Sequence, residues 1–251
     1  MHLLKSIVFF SLLLLFSCTS KQWTITHSNS MRIALDSSVQ YLADTAYIRF
    51  LEPYKSLLDA KMNEVIGKAE HEMRGHAPES LLSNFSADLY RNTASDYLKS
   101  TVDMAIVNLG GLRSHIPAGD ITVRKIFELM PFENELVIVY LSGDKVYELC
   151  QGFAQVGGQG VSGITMQFKN KSAIDIKINN KALDRTKVYS IATNDFLAAG
   201  NDKMEELAQY SKRINTDIKI RDMLLNFVKS ETSKGNLIKS ALDGRVKMSE
   251  L

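Results

Sequence analysis

Three short stretches combine residue types that could grip a small anionic or hydroxyl-bearing ligand. Asn108-Leu109-Gly110-Gly111-Leu112-Arg113 sets paired glycines beside an arginine. Glycines let the backbone approach a ligand closely, and a guanidinium offers a planar donor fork suited to phosphate or carboxylate. The same stretch equally suits a tight turn with a solvated arginine, and spacing alone does not separate the two. Met130-Pro131-Phe132-Glu133-Asn134 places an aromatic ring where a helix stops and a buried strand starts, a common position for a ring that lids a core. Thr193-Asn194-Asp195-Phe196-Leu197-Ala198-Ala199-Gly200-Asn201-Asp202 is a strand entering a small-residue turn that holds Phe196 and Asp202. Read singly, it is turn chemistry.

Other chemistries are poorly supplied. The chain has 5 histidines and 2 cysteines among 251 residues. His27, His71, His76 and His115 are scattered without His-x-His spacing, and Gly75-His76 reads as an isolated surface pair. Two cysteines exclude a disulfide framework and a cysteine-rich zinc module. Cys150 lies in an apolar helical context and reads as a buried, inert thiol. No Gly-x-Ser-x-Gly elbow occurs. Lys+Arg 30 against Asp+Glu 28 gives +2 with no basic stripe, so nucleic acid is not an expected partner. With 45% hydrophobic residues the chain can bury a sizeable core.

The elements that must position the three stretches follow from pattern. Residues 46–69 carry Leu51, Tyr54, Leu58, Val65 and Ile66 near helical spacing, with Pro53 acceptable only near a first turn. Pro78 opens a second helical stretch striped by Leu82, Phe85 and Leu89. Asp103–Val107 reads as a short buried strand feeding Asn108. Thr122 can cap a short helix with Val123, Ile126, Phe127 and Met130 on one face, stopped by Pro131. Leu136–Leu141 is an almost unbroken apolar run, as expected of a central strand. Asp144–Phe153 reads as helix; Ile164–Phe168, Ile174–Ile178 and Val188–Thr193 read as strands. Ile220, Leu224, Phe227 and Val228 make a last helical stripe, ended near Gly235. Several strands follow one another without an intervening helix, which predicts an α+β fold, a single domain with a mixed β-sheet and packed helices. The glycine-rich break from Gly157 to Gly163 is too short for a domain linker.

At the N-terminus, Lys5 precedes an apolar run from Ser6 to Phe16 that is shorter than a bilayer-spanning helix and has signal-peptide proportions. Leu15-Phe16-Ser17-Cys18 resembles a bacterial lipobox. The expected organisation is a lipoprotein signal over residues 1–17, a polar tether over 18–30, and one domain over 31–251. Cys18 would carry the lipid, anchoring the protein in the bacterial cell envelope. A plain secretory signal with a fortuitous Cys18 is the alternative.

Taken together and in order, the three stretches resemble the C-terminal domain of the 5′-nucleotidase family. Asn108–Arg113 matches the family's Asn-x-Gly-Gly-Ile-Arg turn, with Leu112 in place of isoleucine. Ile116-Pro117-Ala118-Gly119-Asp120-Ile121-Thr122 matches its Pro-Ala-Gly-x-Ile-Thr entry to the next helix. Met130–Val137 matches its Pro-Phe-x-Asn segment, and Ala192–Asp202 its Ala-Thr-x-x-Phe-Leu-Ala-x-Gly-Gly-Asp segment. Val161-Ser162-Gly163 and the stretch Glu79–Asp88 are similar to further family segments, so the likeness runs from about Pro78 to Phe227.

The resemblance implies a nucleotide-recognition domain. Phe132 and Phe196 fall where the family sandwiches a base, and Asp202 where it receives the ribose hydroxyls. Asn108 and Asn134 occupy positions that can offer an amide to the base. Arg113 sits where the family places a phosphate-contacting arginine, with Gly110 and Gly111 as close-approach backbone. There are departures. The family's Gly-Gly-Asp-Gly is Gly200-Asn201-Asp202-Lys203 here, with Asn201 expected to take the left-handed backbone. A second phosphate arginine is replaced by His76, with Arg74 two residues earlier. Hydrolysis in the family belongs to an N-terminal metallophosphatase domain with two metal ions, whose Asp-x-His, Gly-Asn-His and Gly-His-x-His signatures do not occur in this sequence. The expectation is therefore a chain that binds no cofactor itself, with two divalent metals on a separate metallophosphatase partner acting in nucleotide catabolism. A non-catalytic nucleoside- or nucleotide-binding envelope lipoprotein is the alternative, and a structural envelope protein with a decayed site a third reading.

Overall fold

Along the apolar run 136–141, Leu136 and Ile138 join one hydrophobic cluster while Val137, Val139 and Leu141 join another. Successive side chains on a strand point to opposite faces, so an unbroken apolar strand must be covered on both. The computed structural model describes residues 23–34, 36, 39 and 43–249. The lipobox at Cys18 lies outside these residues. By internal contacts the chain divides into two units, Met1–Glu52 and Pro53–Leu251. In the first, residues 23–34 carry no regular structure and the Tyr47 and Phe50 rings stack 6.3 Å apart. All the described strands belong to the second.

In chain order the described elements are α1 (Thr45–Met62), β1 (Val65–Ala69), α2 (Leu81–Leu98), β2 (Met104–Val107), β3 (Gly119–Thr122), α3 (Val123–Leu129), β4 (Glu135–Ser142), α4 (Gly143–Val156), β5 (Gly160–Ser162), β6 (Ile164–Lys169), β7 (Ser172–Ile178), β8 (Lys181–Ala182), β9 (Val188–Asn194), α5 (Asp195–Ala198), β10 (Lys212–Lys219), α6 (Ile220–Ser233) and β11 (Val246–Met248). The central sheet has the order β10-β4-β9-β2-β5. β2 and β9 run parallel and the other pairs are antiparallel, giving the mixed sheet and α+β class expected from sequence. One face carries α2, α3, α6 and the small β1–β3 sheet, through Leu82, Phe85, Ile126, Leu129, Leu224 and Val228. The other carries α4 and a second sheet, β11-β6-β7-β8, through Leu149, Phe153, Met166, Phe168 and Ile178.

Short polar residues start the helices that precede α6, which begins after Lys219 with no side-chain cap. The Ser80 hydroxyl accepts from the Ser83 backbone N–H at 3.2 Å, and the Ser83 hydroxyl accepts in return from Ser80 N–H at 3.1 Å, a reciprocal cap on α2. Thr122 caps α3 and Ser142 caps α4 in the simpler one-way form.

Two expectations are corrected. The stretch 46–69 is not one helix: α1 ends at Met62, and Val65 and Ile66 belong to β1, paired antiparallel with β3. β-branched residues suit the strand, and a tertiary partner overrides the helical spacing. Pro53 lies well inside α1, beyond its first turn, and no residue of α1 is buried. Further along, β10 is an edge strand of the central sheet where no element was expected. Its alternation of Ile214, Thr216 and Ile218 with polar residues was the available signal.

Candidate functional site

Strand directions explain why loops far apart in sequence meet. β2 and β9 are parallel, so Val107 and Asn194 leave the sheet on the same edge. β4 runs opposite to β9 with Leu136 paired to Asn194, so its first residues start from that edge. β10 is antiparallel to β4 with Lys219 against Glu135, so it also ends there. Four connections therefore gather at one end of the sheet. Ligands bind at such edges because the loops there are free of ladder hydrogen bonds and can present side chains.

The cleft between these loops has a volume of about 550 Å³. Asn108, Gly110, Gly111, Arg113, Phe132, Asn134, Phe196 and Asp202 all line it, so the eight binding candidates from the sequence are brought together. Met130, Glu133 and Asn194 complete the wall. Phe132 and Phe196 are each 42% exposed. Phe132 is thus not the core lid that its turn suggested.

Each wall has a local cause. After β2 the chain makes one turn of 3₁₀ helix, Leu109–Gly111. Leu109 N–H is held by Gln159 Oε1 at 2.9 Å, and Arg113 N–H donates to Leu129 O at 3.0 Å. Asn108 is buried, and its amide nitrogen donates to Asp202 Oδ2, joining the first loop to the third. A Cβ on Gly111 would lie 2.6 Å from Asn108 Oδ1, so glycine is required there for the asparagine to keep its place. The Arg113 guanidinium is exposed and donates to Gly110 O at 3.2 Å, with no carboxylate partner among the described residues.

The Phe196 wall starts at an asparagine cap: Asn194 Oδ1 accepts from Leu197 N–H at 2.7 Å. Asp195 then fastens two loops with one oxygen. Its Oδ1 accepts from Asn134 Nδ2 at 2.8 Å, from Glu135 N–H at 3.2 Å and from Phe196 N–H at 2.9 Å. A carboxylate can only accept, so the Asn134 amide must turn its nitrogen toward Asp195. Asn201 Nδ2 donates to Phe196 O at 2.9 Å. Left-handed backbone falls on Gly200 (φ 85°), Asp202 (φ 57°) and Lys203 (φ 60°), not on Asn201 as expected.

The fourth connection was not anticipated from sequence. Arg221, at the start of α6, bonds Glu133 and lies 4.3 Å from the centre of the Phe127 ring. Lys219 Nζ donates to Glu135 Oε1 at 2.8 Å and to Glu133 O at 3.1 Å. The bond from Arg221 holds the Glu133 carboxyl below the ordinary range, and the bond to Glu135 raises the Lys219 ammonium. Nothing local to Glu133 marks it, because the residues that hold it come from beyond β9.

The other residues expected to contact a phosphate are not gathered at this cleft. Arg74 pairs with Glu72 at 2.7 Å and His76 Nδ1 lies 3.3 Å from Ala77 O. Neither lines the cleft. His115 contacts Glu72 at 3.3 Å and His71 contacts Ser240 O at 3.2 Å. Among the described residues no three His, Cys, Asp or Glu side chains gather as a metal site, so these residues do not fit the two-metal centre associated with the resemblance. Cys150 is buried and its thiol is pushed up to about 12 by burial.

A family model, "5′-nucleotidase, C-terminal domain", matches residues 65–209. Protein UshA of Yersinia enterocolitica is 29% identical over 201 residues, covering 75% of this chain and 35% of that protein. A 5′-nucleotidase of Vibrio vulnificus is 24% identical over 209 residues, covering 81% of this chain and 37% of that one. The chain thus spans about a third of the length of these relatives. Among solved structures, a 5′-nucleotidase precursor from Thermus thermophilus superposes with a TM-score of 0.70 at 24% identity, over 84% of this chain and 44% of that one. At that identity the structural likeness speaks for the fold.

Proposed function

Because the chain belongs to the family of 5′-nucleotidase C-terminal domains, we propose that its cleft binds a nucleoside 5′-phosphate, with the base between Phe132 and Phe196. The observation that carries this reading is the pair of half-exposed phenylalanines lining one cleft with Asp202 and Arg113. Two exposed rings lining one cleft offer flat apolar faces to a base, and base stacking contributes about 1–3 kcal/mol per base. Asn108 occupies one oxygen of Asp202 and leaves Oδ1 for the ribose hydroxyls. Arg113 keeps donors free for the phosphate.

Hydrolysis is assigned to a metallophosphatase supplied by a separate chain. Two divalent metals there would position and activate water and stabilise the leaving oxygen. This chain's own residues bind the nucleotide, fix its base and ribose, and present the phosphate. The Leu15–Cys18 sequence extends the proposal to an envelope lipoprotein anchored through Cys18 in nucleotide catabolism. Among the described residues no helix is long and apolar enough to cross a membrane.

The test has two steps. Calorimetric titration of the full chain with AMP gives the affinity, and Phe132→Ala or Phe196→Ala lowers it about tenfold or more. Adding a two-metal phosphatase that lacks this domain then gives higher turnover of AMP with the chain than without it. Unchanged turnover beside intact binding favours a capture protein instead. Absence of nucleotide binding by the wild-type chain overturns the reading.

A further inference from the structure

Resting on that reading of the cleft, we infer that Glu133 sets base preference, selecting a nucleobase that presents two adjacent N–H donors, guanine, over adenine. Glu133 follows Phe132 directly and lines the same cleft, where its carboxylate would meet the edge of a base stacked on that ring. The side chain is 68% exposed and pinned from behind by Arg221, whose own side chain is only 12% exposed. Arg221 is in turn fixed by the Phe127 ring and by a bond from Nη1 to Phe132 O at 3.4 Å. The carboxylate is thus oriented before any ligand arrives.

The choice of base follows from what a carboxylate can do. Ionised, it has only acceptor sites, about four across its two oxygens. Arg221 uses one of those on Oε1, which leaves both oxygens able to accept. The guanine edge offers N1–H and N2–H side by side, matching both oxygens at once. The adenine edge offers the N6 amino group but sets the N1 lone pair against the carboxylate. Like-signed lone pairs facing each other cost affinity, and adenine gains only one bond where guanine gains two. Hypoxanthine, with N1–H and no 2-amino group, supplies one of guanine's two donors and is the natural intermediate. Bidentate edge recognition of this kind discriminates between bases by about 5- to 150-fold, and the exposure of Glu133 favours the low part of that range.

The experiment is calorimetric titration of the full chain with the 5′-monophosphates of guanosine, inosine and adenosine, in wild type and Glu133→Gln. The wild type is expected to bind the guanosine ligand about tenfold more tightly than the adenosine one, with inosine between. Glu133→Gln keeps an oxygen for Arg221 but replaces the second acceptor with an N–H donor, so the guanosine preference should fall to about twofold or less while the unfolding midpoint stays near wild type. Equal wild-type affinities, or a guanosine preference that survives Glu133→Gln, would overturn this inference while leaving nucleotide binding in the cleft intact. Failure of all three ligands to bind overturns the underlying reading, and the inference with it.

Discussion

A missing methyl group at Gly111 keeps Asn108 beside Asp202. The Cβ of an alanine there would meet Asn108 Oδ1 at 2.6 Å, and the asparagine, buried and bonded to Asp202, would have to swing away. Gly111→Ala should therefore lower AMP affinity about tenfold through a loosened Asp202, with a melting temperature reduced by only a few degrees, as expected for loss of one hydrogen bond. Calorimetry and thermal melts on the same variant check both halves. Unchanged affinity would remove Asn108 from the design of the site. At this scale much was legible, since Asn108, Gly110, Gly111, Arg113, Phe132, Asn134, Phe196 and Asp202 announce themselves by type and order. Glu133 and Asp195 do not. Their significance lies in partners, Arg221 for one and Asn134 for the other, that sequence spacing does not connect.

Between elements, Asp195 is the joint. One oxygen at the start of α5 serves the loop before β4 and the helix that carries Phe196. Asp195→Ala leaves the Asn134 amide, Glu135 N–H and Phe196 N–H without that acceptor, and the two phenylalanines lose their common reference. The expected result is a loss of about 1–3 kcal/mol in stability together with weakened AMP binding. Denaturant unfolding and calorimetry measure the two, and binding unaffected by the substitution would show that the rings are held by packing alone. Legibility at this scale was uneven. The apolar run of β4 could be read as a central strand because burial on both faces removes alternation. β10 escaped notice because an edge strand keeps its polar residues, and β1 because Val65 and Ile66 happened to continue the spacing of α1.

Over the whole molecule, the C-terminal strand is secured by Arg245. Its Nη1 donates to Asp88 Oδ1 and to Val161 O, both at 2.8 Å, and its Nη2 to Asp243 Oδ2 at 2.7 Å. This ties α2, β5 and the approach to β11 together beside the parallel β6–β11 pair. The bond from Arg245 lowers Asp243 from its ordinary value of 3.8. A depressed folded value stabilises the protein above the unfolded value and loses that contribution as pH falls through the folded one. Arg245→Met is accordingly expected to cost about 2 kcal/mol at neutral pH, where charged hydrogen bonds are lost. The difference in melting temperature from wild type should shrink as the pH is lowered through and below 3.8. A gap independent of pH would mean that packing of the arginine stem, and not its charge, secures the strand.

The sequence by itself determined the residue types at the cleft, the α+β class and the family, because glycine turns, capping residues and apolar runs act over a few neighbouring positions. Only the tertiary structure decided that these residues line one cleft. That outcome depends on strand direction: β2 and β9 parallel, β4 and β10 opposed, so that four connections leave from one edge of the sheet. It also depends on bonds such as Asn108 to Asp202 and Arg221 to Glu133, which join residues 94 and 88 positions apart. Such pairings are fixed by the packing of two cores on a shared sheet, a long-range condition that spacing along the chain does not encode.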